Sequence, residues 1–80
     1  MEKAEIKAIG DFLSDVYEGI CEEDSPDTQR LQLTELYKVI KRLMDLTSKA
    51  PEREKQFFAM LEYNARQYKN IIEARLAVRN

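Results

Sequence analysis

Two polar residues, Asn64 and Arg75, fall within an otherwise apolar series near the end of the chain. They are its best candidates for chemistry. The series reads Phe57, Leu61, Asn64, Tyr68, Ile71, Arg75 with spacings of 4, 3, 4, 3 and 4, so all six share one face of a helix. The chemistry open to these two is recognition, not bond-making. A carboxamide on such a face costs stability unless its hydrogen bonds are met, and its best-attested use is to fix register or oligomeric state. The alternative for Asn64 is a place at the core edge, bonded to a backbone carbonyl or a tyrosine hydroxyl. A guanidinium on the same face must meet an acid or reach water along its stem. For Arg75 the acids Glu22, Glu23, Asp24 and Asp27 are the expected internal partners, and a pocket on another protein is the alternative.

Bond-making chemistry has little to work with. The chain has no histidine, so the commonest neutral-pH acid–base group and metal ligand is missing. Neither a glycine-rich phosphate loop nor a nucleophile elbow is present. The single cysteine, Cys21, has no activating base beside it and is expected to be a small core residue. The acidic run at 22–27 lacks the alternating acids and glycine turn of a calcium loop. No catalytic, cofactor-binding or metal-binding residue is therefore assigned, and the chain reads as no enzyme. Tyr63 beside Arg66 has the makings of a base-stacking pair. Lys38, Lys41, Arg42 and Lys49 form a basic side that phosphate would suit. A solvated helix face is the expected account of that side, and nucleic acid is not the expected partner.

The elements that must place these residues are three helices forming one domain over residues 1–80. Ile6, Ile9, Leu13, Val16 and Ile20 set a narrow seam for a helix over about 2–23, widened by Phe12, Tyr17 and Cys21. Asp11, Asp15, Glu18 and Glu22 lie on its far side as an acidic face. Both glycines, Gly10 and Gly19, are inside this helix, each costing about 1 kcal/mol against alanine. They serve close backbone packing or let the helix move. Ser25-Pro26-Asp27 is an N-cap, a first-turn proline and a first-turn acid, which opens a second helix over about 26–48. Leu33, Leu36, Tyr37, Val39, Ile40, Leu43, Met44 and Leu46 cover about half its girth, making it the expected central helix. Ala50-Pro51 breaks the chain again, and a third helix runs over about 51–79. Short connections give an all-α, antiparallel three-helix bundle.

Charge is unevenly spread along this chain of net charge −2. Residues 1–27 carry nine acids against two bases, net −7, while 28–50 carry +3 and 51–80 carry +2. Attraction between helices inside one bundle accounts for this. An acidic first helix offered to a basic partner, or mimicking nucleic acid, is the alternative. No apolar run approaches the roughly 20 residues of a membrane span, and no secretory leader, repeat or lipidation signal is visible. With a lone cysteine, a reducing cytoplasmic setting follows.

At 1.5 Å per residue the third helix is about 43 Å long against roughly 33 Å for the others. It should overhang them near the 22–27 connection, with Ile72, Leu76 and Val78 on the overhang either wrapping back over that acidic connection or docking onto another chain. Tyr68, Ile71, Ile72, Arg75 and Leu76 are thus the expected partner-binding residues, with Asn64 setting specificity. The reading is a protein-interaction module acting as a small regulator, inhibitor or adaptor. A self-assembling homo-oligomeric subunit and a nucleic-acid-binding accessory protein are the alternatives. Compact chains of this kind are frequent among accessory proteins of bacteria and phages, by analogy only.

Overall fold

A computed structural model describes residues 2–79, with side chains from 3 to 78. It contains three α-helices, α1 (Glu2–Glu22), α2 (Pro26–Lys49) and α3 (Glu52–Arg79), and no strand among the described residues. Each boundary follows from local chemistry. Glu23 takes a left-handed conformation, φ 57°. The Asp24 amide then donates to the Gly19 carbonyl at 3.0 Å, and the Glu23 amide to that of Ile20 at 3.4 Å. This is the paired helix stop usually built on glycine. The Ser25 hydroxyl accepts the Thr28 amide at 3.2 Å, capping α2 with Pro26 in its first turn. Ala50, extended ahead of Pro51, ends α2, and the Pro51 carbonyl takes the Glu54 amide at 2.9 Å as α3 begins.

The three helices bury one core. Ile9, Leu13, Val16 and Ile20 come from α1, Leu36, Ile40, Leu43 and Leu46 from α2, and Phe58, Ala65, Ile72 and Leu76 from α3. Tyr37 meets Glu73 and Met44 meets Arg66, so α2 and α3 are antiparallel. Tyr17 meets Tyr68 and Ile20 meets Arg75, so α1 and α3 run in parallel. Arg42 near the end of α2 clasps Glu5 at the start of α1 with two hydrogen bonds of 2.5 and 2.8 Å. Glu5 and Arg42 are thus an opposite-charge pair across α1 and α2, both partly exposed.

Two expectations are corrected here. The central helix is α3, not α2, since both other helices pack on α3 and α1 lies closer to α3 than to α2. Tyr37 and Met44, which widen the apolar face of α2, are half exposed at its border with α3, where they meet Glu73 and Arg66. Of the three residues expected on an overhang, only Val78 is uncovered, at 86% exposed. The molecule is 42 Å long, about the length of α3 itself, yet Ile72 and Leu76 are in the core. The antiparallel register puts the first turns of α2 beside the last turns of α3, and Glu23 in the connection borders the same open surface hollow as Ala74, Arg75 and Val78. No helix among the described residues is long and apolar enough to cross a membrane.

Candidate functional site

Apolar residues occur on two sides of α3, which makes it less amphipathic than α1 or α2. One side is Phe58, Leu61, Ala65, Tyr68, Ile72 and Leu76, turned into the bundle. The other is Phe57, Met60, Asn64, Gln67, Ile71, Ala74 and Val78, spaced 3, 4, 3, 4, 3 and 4, an unbroken heptad pattern. This outer line is open to solvent, with Phe57 46%, Met60 52%, Ile71 39% and Val78 86% exposed, and Tyr63 beside it 63%. The charged residues of the same stretch are elsewhere. Arg66 pairs with Glu62 at 2.8 Å and reaches the Met44 sulfur at 3.3 Å, Glu73 accepts from Tyr37, and Lys69 is 3.5 Å from Glu73. Arg75 turns inward.

The outer face of α3 therefore carries no charge from Gln56 to Val78, in a chain of which 35% of residues are charged. Depletion of charge together with exposed Phe, Met and Tyr is the composition of an interface centre. On one flank the face runs into a groove between α3 and α1. Gly10, Leu13, Ser14, Tyr17 and Glu18 line it from α1, and Leu61, Asn64 and Tyr68 from α3, around about 390 Å³. The Tyr17 and Tyr68 rings lie 6.0 Å apart at one end. A Cβ built on Gly10 meets no atom within 4 Å, so packing within the chain does not require glycine there. Gly19 differs, because its Cβ would lie 2.2 Å from Asp24 Oδ2.

The residues singled out from sequence are dispersed by this arrangement. Asn64 is at the groove lip, half-buried, and its side chain makes no hydrogen bond among the described residues. Arg75 finds an internal partner, but not an acid: its guanidinium donates at 2.7 Å to the Ile20 carbonyl. Tyr68 is half-buried against Tyr17, and only Ile71 of the five expected docking residues stands well out of the core. Ile72 and Leu76 are interior, so neither is open to a partner in this conformation. Asp11, Asp15, Glu18 and Glu22 are all exposed, Asp11 bridged by Lys7 at 2.8 Å. Cys21 is exposed rather than in the core, one position past the buried Ile20. The Cys21 thiol, then burial and Tyr68, push the Tyr17 phenol above its ordinary pKa.

The basic side of α2 is largely engaged. Arg42 holds Glu5 and Asp45, Lys49 also reaches Asp45, and Lys38 meets Glu35. Arg66 turns to Glu62 and α2, away from the outer face that carries Tyr63. Sequence reasoning missed Phe57, Met60, Gln67, Ala74 and Val78 as a continuous outer line. The signal for it was the absence of charge at heptad spacing. No protein-family model, curated protein or solved structure matches this chain.

Proposed function

We propose that this chain is a non-enzymatic protein-interaction module, a small regulator, inhibitor or adaptor, that docks through the uncharged outer face of α3. The observation that carries the reading is that face itself: apolar, open to solvent along most of the longest helix, and bare of charge. A lone helix side of this kind, flanked by a groove, suits helix-face docking with a few aromatic anchors. The acidic side of α1 would steer a basic partner toward it. The earlier docking set narrows to Ile71, with Asn64 at the groove lip and Phe57, Met60 and Tyr63 joining it. Cys21, exposed and single, suits a reducing compartment.

Nucleic-acid binding is less well supported, because most of the bases that would meet phosphate already hold acids. Photo-crosslinking in extract of the native host tests the docking reading. A benzophenone side chain at position 60 or 71 should yield protein adducts, and one at the exposed Leu31 of α2 should not. Equal labelling from all three positions, or none from 60 and 71, removes the proposal.

A further inference from the structure

We infer that the partner of this face is a second copy of the chain, paired in parallel through α3 with Asn64 opposite Asn64 across a two-fold axis. The inference rests on the docking reading above and names its occupant. Phe57, Asn64, Ile71 and Val78 take one set of heptad positions, and Met60, Gln67 and Ala74 the other. Branched Ile71 and Val78 in the first set favour two parallel strands, and a single asparagine among them specifies register and strand number.

Symmetry explains the absence of charge. Across a two-fold axis each patch meets itself, so a charge near the axis would face its own copy. A seam without charge is free of that repulsion, whereas a face built for a foreign partner has no such requirement. The size also fits. Phe57 and Tyr63, of roughly 150–250 Å² each and about half exposed, with Met60, Ile71, Val78 and the α1 surface laid against the partner, approach the ~800 Å² per partner of a specific interface.

The fold selects the orientation. α1 lies parallel to α3 at the edge of the seam, as the Tyr17–Tyr68 and Ile20–Arg75 contacts show. A two-fold axis along α3 sends the two α1 helices to opposite sides of the seam. An axis across α3 puts both on the same side, bringing two acidic helices together. In the parallel pair each α1 also covers part of the partner's α3. Gly10 and Ser14 then face the partner's Tyr63, and the open space at Gly10 receives that ring. α1, α3 and their copies form a four-helix centre with α2 outside.

The test uses the full chain with Cys21→Ser. Light scattering from low to several hundred micromolar should show a dimer, and Ile71→Glu should weaken it at least ~100-fold while leaving the melt at low, monomeric concentration unchanged, since Ile71 is outside the core. Under mild oxidation, Val78→Cys should form a disulfide dimer, and so should Phe57→Cys. An equimolar mixture should give no Phe57→Cys to Val78→Cys cross-product, because 21 residues separate those layers by about 32 Å in a parallel pair. A monomer throughout overturns the second-copy inference, and predominance of the cross-product overturns the parallel seam. Neither result touches the docking reading, which stands or falls on protein adducts, to this chain or to another, from positions 60 and 71.

Discussion

The guanidinium of Arg75, on α3, donates at 2.7 Å to the backbone carbonyl of Ile20 in the last turn of α1. That turn holds no base of its own and carries Glu22, so its negative end lacks local compensation. Arg75 brings the missing cation from a residue 55 positions away and ties the ends of two parallel helices together.

Arg75→Ala should therefore lower stability by about 1–2 kcal/mol. Amide exchange should accelerate first in the final turn of α1. Arg75→Lys, keeping the charge but not the planar fork, should recover part of the loss. Unchanged melting with undisturbed exchange near Ile20 would show that the contact contributes nothing.

Arg75 also marks a limit of sequence reading. An acid is the obvious partner for an arginine on an apolar face, yet a helix C-terminus supplies the same negative potential from backbone atoms, which no residue type reveals. Both chain breaks were legible because Ser25-Pro26 and Ala50-Pro51 act on their own backbone. The phase of α3 was not. Phe57, Leu61, Asn64, Tyr68 and Phe58, Leu61, Ala65, Tyr68 are both periodic, and a one-residue rotation of 100° exchanges core for surface. Only packing against α1 and α2 decides between them, and that decision uncovers the outer seam and takes Ile72 and Leu76 into the core.

Position 10 is glycine although internal packing leaves room for a side chain, and position 23 is not, although its left-handed backbone favours glycine. Gly10→Ala should stabilise the chain by about 0.5–1 kcal/mol, the helix preference of alanine with no clash to offset it. Gly19→Ala should gain nothing or lose stability, because Asp24 must swing off the helix and away from Gln32. Glu23→Gly should stabilise by about 0.5–1 kcal/mol, relieving a left-handed residue that has a side chain. Urea melts of the three variants should rank in that pattern, and a stabilising Gly19→Ala would contradict the close approach of Asp24.

The Tyr37–Glu73 hydrogen bond should make stability depend on pH at both extremes. The Tyr37 hydroxyl, opposed by partial burial and helped by Lys69, holds the Glu73 carboxyl below its usual range. Glu73 in turn holds the Tyr37 phenol above its own. A lowered carboxyl stabilises the fold above its unfolded pKa, and that contribution is lost as pH falls through the folded value. A raised phenol stabilises below its unfolded pKa and loses the contribution as pH rises through the folded value. The bond is thus fully present from about pH 5 to 9. Tyr37→Phe should lower the melting temperature there and converge on the parent at both ends. Glu5, lowered first by its hydrogen bond to Arg42, adds to the acid-side loss in both proteins.

Adjacent isoleucines give the sharpest check on the phase of α3. Ile72 is fully buried among the core residues, while Ile71, one residue earlier, is 39% exposed on the outer seam. Truncation of a buried isoleucine to alanine costs about 2–4 kcal/mol through lost transfer energy and the cavity left behind. In a domain of 80 residues that is a large part of the whole stability. Ile72→Val, at about 1 kcal/mol, keeps the comparison measurable if the alanine variant does not fold. Ile71→Ala should cost under about 1 kcal/mol in the monomer, because much of its surface is already in water. Thermal melts at low protein concentration, where association does not contribute, should place Ile72→Val and Ile72→Ala below Ile71→Ala, at about 4–8 °C per kcal/mol. The reverse order would rotate α3 by one residue, bury the uncharged seam inside the chain and leave nothing on that helix for a partner to meet.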